Sequence, residues 1–283
     1  MKVALAVVVT YNRLDCLKAC VEALLAQTRK DFDILIVNNG STDGTKEWIE
    51  TLPSNILRIH QENLGGAGGF YRGQKYAFDN DYEWTWMMDD DGVPAKDQFE
   101  ILLDVANRYN QKIIGPVVAN INNPQEQAFS PGQQMPSKEP EFSLNPAYVS
   151  AFNGVMFHRD VMQKIGFIKK ELFIWGDERE YTFRWRMNGF VEAAAMKAIH
   201  YHPQIKSQYD KVLPWGRAIV VLKPEKFSKY FYRNNGYINR KYASTKVLIG
   251  EMLLYSIYFL RKLRLLELAK YVKYYMKGAY FTS

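Results

Sequence analysis

Short, nearly unbroken apolar runs alternate with stretches of helical period through the first 120 residues. The pattern predicts strands at residues 3–9, 32–37, 56–60, 84–88 and 113–118, and helices at 14–25, 45–52, 69–78 and 98–109. Strands that are apolar on both faces and separated by helices imply a parallel sheet covered on both sides. Ligands of such sheets bind outside the strands' carboxyl ends. The polar clusters fall at those ends: Thr10-Tyr11-Asn12-Arg13, Asn38-Asn39-Gly40-Ser41-Thr42-Asp43-Gly44, Asn63-Leu64-Gly65-Gly66-Ala67-Gly68-Gly69 and Asp89-Asp90-Asp91. Four loops are therefore expected to converge on one crevice of an α/β fold.

A second set of elements follows. Residues 150–157 read as a strand interrupted at Asn153-Gly154, Phe173-Ile174-Trp175-Gly176-Asp177-Glu178-Arg179-Glu180-Tyr181 leads into a helix reaching Met187, and residues 190–199 read as a strand ending at His200-Tyr201-His202-Pro203. With 283 residues, 47% of them hydrophobic, and no clean apolar run of 18, the chain reads as globular, with one large or two unequal domains. The expected division is 1–205 and 206–283. Residues 1–9 lack a long apolar core and a small-residue cleavage site, and read as a first buried strand. Cys16 and Cys20, four apart in a predicted helix, suit reduced core residues of a cytosolic protein.

Charge separates the two parts. Residues 206–283 carry 16 Lys/Arg against 4 Asp/Glu, net +12, while residues 1–205 carry 21 against 26, net −5. The basic part is also dense in Tyr and Phe. An anionic bilayer surface would take aromatics at its headgroups and lysines at its phosphates, and apolar Leu265, Leu268, Ala269, Val272 and Met276 oppose Lys270, Lys273 and Lys277 at helical spacing. Nucleic acid suits the same mixture, and an ordinary packed helix is a third reading. The apolar segment 247–260 contains Glu251 and is short for a membrane span.

The Asp triplet carries the most chemistry. Three adjacent carboxylates repel one another when ionised, and hard oxygen ligands suit Mg²⁺ or Mn²⁺, which would neutralise them and grip a diphosphate together; an acidic solvated turn is the plain alternative. Thr10, Asn12 and Asn39 offer groups that could read a base edge, and Arg13 a cation for a base or diphosphate, while helix capping and turn chemistry explain the same residues. The glycine-rich run at 65–69 is neither a dinucleotide fingerprint nor a P-loop. Asp177 and Glu178 sit at a helix start, where the macrodipole favours carboxylates; one of them could instead be a general base, with Trp175 a face for a sugar ring. A histidine at a strand end, such as His200, can complete a divalent site begun by carboxylates.

Taken together, residues 3–203 resemble the family 2 glycosyltransferases, an inverting group with the GT-A fold. The carriers are Val8-Val9-Thr10-Tyr11-Asn12-Arg13, Val37-Asn38-Asn39-Gly40-Ser41-Thr42-Asp43-Gly44-Thr45 and Asp89-Asp90-Asp91. Within that family, the 63–70 run, the triplet and the 173–181 run are similar to bacterial galactofuranosyltransferases that use UDP-galactofuranose; rhamnosyltransferases using dTDP-rhamnose share much of the pattern. The resemblance implies a mostly parallel GT-A sheet flanked by helices, with a smaller C-terminal helical region. It implies donor contacts at Thr10, Asn12, Arg13, Asn39, Asn63, Asp89 and Asp90, and a Mn²⁺ or Mg²⁺ site at Asp89, Asp91 and His200, with His202 a nearby competitor. It places the general base at Glu178, where many relatives have Asp, with Asp177 supporting and Trp175 toward the acceptor.

The implied reaction is a single displacement with inversion, adding a sugar to a glycan or lipid-linked acceptor of cell-surface polysaccharide. The expected location is peripheral, on the cytoplasmic face of the inner membrane, and no nucleic acid partner is expected. A non-catalytic nucleotide-sugar-binding module and a basic nucleic-acid-binding protein are the rivals.

Overall fold

The computed structural model describes residues 2–204 and 208–281. The expected boundary at residues 205/206 lies outside them. The chain divides into two compact units: residues 1–170 with 184–205, and residues 171–183 with 206–283. The segment 171–183 therefore groups with the C-terminal helices and not with its neighbours in sequence.

The first unit follows the expected alternation: β1 (Lys2–Thr10), α1 (Leu14–Leu25), β2 (Phe32–Asn38), α2 (Thr45–Thr51), β3 (Ile56–His60), α3 (Gly65–Asp79), β4 (Tyr82–Asp89), β5 (Val93–Pro94), α4 (Gln98–Arg108) and β6 (Ile113–Asn120). After it come β7 (Asn123–Gln127), β8 (Phe142–Ser143), β9 (Asn153–His158), α5 (Arg159–Ile165) and β10 (Glu192–His202); α6 (Asp177–Met187) belongs to the second unit through residue 183. Among the described residues these strands form one ten-stranded sheet, ordered β3-β2-β1-β4-β9-β6-β10-β5, with β7 beside β6 and β8 beside β10.

The sheet is more mixed than its first half suggests. The strands β3, β2, β1 and β4 pair in parallel, as do β6 and β10. Between β4 and β6 lies β9, antiparallel to both, so all five expected strands run the same way although the fifth does not touch the fourth. The consequence matters for chemistry: Thr10, Asn38, Asp89, Asn120 and His202 all end their strands at one edge.

Burial explains why the pattern was legible. Residues 4–9 of β1 and 34–37 of β2 are buried on both faces, and Trp86 stacks on Phe99 at 5.4 Å beneath α4. Helix α3 starts at Gly65, earlier than the expected residue 69. Its glycines serve packing: a Cβ on Gly69 would come within 2.4 Å of Val9 Cγ1, and one on Gly73 within 2.2 Å of Val7 Cγ1. Only a bare helix face approaches β1 so closely. Cys20 is buried in this core as expected, while Cys16 is exposed because it lies on the outer side of α1.

The second unit holds β11 (Gln208–Lys211), β12 (Ile219–Leu222), α7 (Glu225–Tyr242), α8 (Thr245–Arg261) and α9 (Leu265–Ala279). The two strands form an antiparallel hairpin. Its core is aromatic: Tyr271 meets Tyr255 and Tyr232 at 5.0 Å each, with Tyr258, Phe259 and Tyr275 buried around them. Many of the tail's tyrosines are thus interior, not headgroup ligands, because helix packing buries their rings while their hydroxyls find partners: Tyr232 on Glu267 at 2.7 Å, Tyr255 on the Val221 carbonyl at 3.0 Å. Among the described residues no helix is long and apolar enough to cross a membrane.

Candidate active site

Arg13, Asp90, Asp91 and His202 meet at the carboxyl edge of the first unit. The buried Asp90 takes the Thr10 hydroxyl at 2.7 Å, the Tyr11 amide at 3.4 Å and Arg13 Nη1 at 3.2 Å. Burial pushes its carboxyl up, against the opposing pull of those donors. Asp90 and Thr10 therefore bind the loop after β1 to the end of β4. Thr10 is 1% and Asp90 2% exposed, so both are engaged within the protein at the edge where the donor contact is expected.

Asn39, a third expected donor contact, is engaged likewise. Its Oδ1 accepts from Gln61 Nε2 at 2.8 Å and the Leu64 amide at 3.2 Å, and its Nδ2 donates to the Gly65 carbonyl at 2.8 Å. Buried and fully engaged, it locks the loop after β2 to the start of α3. Asn63 caps that start, its Oδ1 accepting from the Gly65 amide at 2.9 Å, and is itself exposed. Asn12, exposed at φ 53°, accepts the Thr42 amide at 2.7 Å and donates its own amide to Ser41 Oγ at 3.0 Å. Asp43, which the sequence reading passed over, caps α1 from the neighbouring loop, accepting the Leu14 amide at 3.1 Å.

Arg13 Nη1 also reaches Asp91 Oδ2, at 2.6 Å, with half its side chain in solvent. The other Asp91 oxygen, Oδ1, lies 3.1 Å from His202 Nε2. A carbonyl can only accept, so the 2.7 Å contact between His202 Nδ1 and the Pro203 carbonyl fixes the proton on Nδ1. Nε2 then donates to Asp91 Oδ1 only when the ring carries its second proton. Two acceptors at that distance need a proton or a metal cation between them. Burial pushes the Asp91 carboxyl up, but His202 and Arg13 outweigh it and hold it below the usual range.

The structure does not bring His200 to Asp91 in this way. His200 is fully buried, its Nδ1 faces Gln98 Oε1 at 3.1 Å, and its Nε2 has no hydrogen-bond partner and is packed over Gly92, where a Cβ would lie 2.2 Å away. Burial, then His202, pushes its pKa down to about 3, so the ring is neutral. Among the described residues no group of three His, Cys, Asp or Glu forms a ready-made metal site. Asp91 and His202 nevertheless fit a divalent ion held by few protein ligands, since Mg²⁺-type sites commonly rely on one or two carboxylates plus substrate phosphate oxygens. Asp89 ends β4 half-buried beside them in sequence.

The second unit holds the other expected residues. Phe173, Trp175 and Gly176 have φ of 67°, 58° and 101°, a conformation that bulky residues rarely adopt and that tertiary contacts must enforce. Those contacts come from α7, and sequence reasoning missed them. Asn234 Nδ2 donates to the carbonyls of Leu172, Ile174 and Trp175 at 2.8, 3.0 and 2.7 Å, and Arg233 Nη2 donates to those of Glu171 and Leu172. The available signal was a polar Asn234-Asn235 pair inside an aromatic helix. Asp177 is buried and Glu178 half-exposed, so only the latter offers its carboxylate to a solvent-borne ligand. Lys223 Nζ stands 4.9 Å over the Trp175 ring, with burial pushing its pKa down against the attraction of Glu178. One face of Trp175 thus carries a cation.

Residues 5–166 match the family model described as glycosyl transferase family 2. The galactofuranosyltransferase GlfT1 of Mycolicibacterium smegmatis is 30% identical over 274 residues, spanning 92% of this chain and 90% of that protein. GlfT1 of Mycobacterium tuberculosis is 32% identical over 269 residues, spanning 90% and 88%. The crystal structure of GalNAc-T7 with UDP, GalNAc and Mn²⁺ superposes with a TM-score of 0.60 at 13% identity, covering 84% of this chain and 51% of that one, a likeness of fold. The carboxyl-edge loops, the Asp triplet at the end of β4 and this near-full-length similarity agree: the chain belongs to glycosyl transferase family 2.

Proposed function

We propose that the protein transfers galactofuranose from UDP-galactofuranose to a hydroxyl of a glycan or lipid-linked acceptor, with inversion, at the cytoplasmic face of an anionic membrane. The observation that carries this reading is 30–32% identity, over about nine-tenths of both chains, to two galactofuranosyltransferases. Arg13 holds the donor diphosphate, with Asp89 completing the polar rim; Asn12 and Asn63, exposed on adjacent loops, contact the nucleotide. Asp91 and His202 would hold a Mn²⁺ or Mg²⁺ ion, which would supply charge neutralisation for the leaving diphosphate. His202 takes the role first assigned to His200, because its Nε2 and not that of His200 faces Asp91.

Glu178 removes the proton from the acceptor hydroxyl, and the oxygen so activated attacks the anomeric carbon opposite UDP. Base catalysis of this kind contributes about 10²–10⁴-fold. The buried Asp177 holds the helix start, and the Lys223–Trp175 pair offers the acceptor a cation beside an aromatic face.

A donor screen tests the reading: nucleotide release is measured with UDP-galactofuranose, UDP-galactopyranose, UDP-glucose and dTDP-rhamnose, with Mn²⁺, Mg²⁺ or chelator. Selective turnover of UDP-galactofuranose is expected. Preference for dTDP-rhamnose would make it a rhamnosyltransferase, and donor binding without turnover a non-catalytic module.

A further inference from the structure

The second unit leaves an apolar stripe and a leucine-rich turn in solvent. Along α8, Ile249, Leu253, Ile257 and Leu260 recur at helical spacing, each about half exposed. Where α8 passes into α9, Leu263 and Leu266 are 83% and 90% exposed. Soluble monomers seldom leave an apolar row this long uncovered.

The surrounding charge has one sign. Residues 240–281 contain nine Lys/Arg and two Asp/Glu. Both acids turn inward: Glu251 accepts from Asn235 and Asn239, and Glu267 from Ser228 and Tyr232. Arg261 stays exposed beside the leucine turn, Lys273 and Lys277 stay exposed on the face of α9 that Leu266 begins, and Lys262, also exposed, pairs with Asp210 at 2.7 Å. Leucines ringed by cations match a surface whose outer layer is anionic and whose interior is apolar. A second copy of this chain matches poorly, since a two-fold contact would lay the cationic rim upon itself.

We propose that the α8–α9 hairpin is the element that docks the protein on an anionic phospholipid bilayer, its turn lowering Leu263 and Leu266 among the acyl chains while Arg261, Lys273 and Lys277 meet the lipid phosphates. The 17 residues of α8 span about 25 Å, short of the roughly 30 Å hydrocarbon core, so the helix lies in the interface. This extends the docking surface from the α9 face expected from sequence, where Leu265, Ala269 and Val272 are exposed and Leu268 and Met276 half-buried, to the turn and the outer face of α8. The proposal deepens the reading that the protein works at a membrane, but it is measured without donor or acceptor, so the transfer reading stands or falls separately.

The test is sedimentation of the full chain with vesicles of phosphatidylcholine, with and without phosphatidylglycerol, at low and high salt. Binding to the phosphatidylglycerol vesicles, weakened by salt, is expected for the wild type. Leu263→Gln with Leu266→Gln should weaken it about tenfold or more while UDP affinity is unchanged. Leu253→Gln with Ile257→Gln carries the same expectation should the first pair fail to fold. Wild-type binding by both double variants would overturn the proposal. So would absence of binding by the wild type, or a concentration-dependent dimer that the leucine substitutions dissociate.

Discussion

His202 Nε2 lies 3.1 Å from Asp91 Oδ1, joining the ends of β10 and β4, which are not adjacent in the sheet. With the His202 proton held on Nδ1 by the Pro203 carbonyl, this contact is where a divalent ion would add most. His202→Ala and Asp91→Asn should therefore each weaken Mn²⁺-dependent UDP binding by about tenfold or more, while metal-free UDP binding changes little. Calorimetry with UDP, with and without Mn²⁺, reads this directly. Loss in His200→Ala with full affinity in His202→Ala would return the role to His200.

Glu178→Gln should bind UDP normally and lose about 10²-fold or more in transfer, since the amide keeps the shape but cannot take a proton. Asp177→Asn should lose less activity and more stability, because Asp177 is buried. The opposite pattern, read from kcat and the thermal midpoint together, would place the base one residue earlier.

Asn234→Ala removes the donor shared by three carbonyls of the 172–175 segment. Leaving those groups unpaired costs about 1–3 kcal/mol, and Trp175 at φ 58° has little reason to stay without them. A urea midpoint shift and a fall in kcat with unchanged UDP affinity are expected. Unchanged kcat would show that the loop geometry is not needed for transfer.

Glu192 accepts from Trp185 Nε1 at 2.8 Å and from Arg186. Burial pushes its carboxyl up, but Arg186 and Trp185 outweigh it and hold the folded-state pKa below the usual carboxylate value. A depressed folded pKa means that the stabilisation is present above the unfolded value, about 4.3, and is lost as pH falls through the folded one. Glu192→Gln should thus be less stable than wild type at pH 7, and the gap should narrow as pH falls below the unfolded value. A gap that widens in acid would contradict this sign.

Much of the first unit was legible because strands buried on both faces need continuous apolar runs, and such runs survive any rearrangement of neighbours. That legibility stopped at pairing. Nothing local in residues 153–158 says that β9 inserts antiparallel between β4 and β6, since side-chain alternation is the same in either direction. Glycine chemistry was similarly ambiguous: the run at 65–69 reads as a loop until the contact of Gly69 with Val9 shows that it is the packed face of a helix.

The sequence by itself determined which residue types the carboxyl edge would offer, because composition at strand ends follows from chain order alone. Only the tertiary structure decided which of them stay open. Thr10, Asn39 and Asp90 are consumed as braces, while Arg13 and Asp91 keep some exposure. His200 and His202, two apart on one strand face, are chemically identical in sequence, and Asp91 faces one of them through a fold contact. The same holds for the basic tail, whose apolar periodicity at 265–276 shows an amphipathic helix but not what its faces pair with. The physical reason is common to all: a hydrogen bond or a packed face has two partners, and a linear pattern specifies only one at a time.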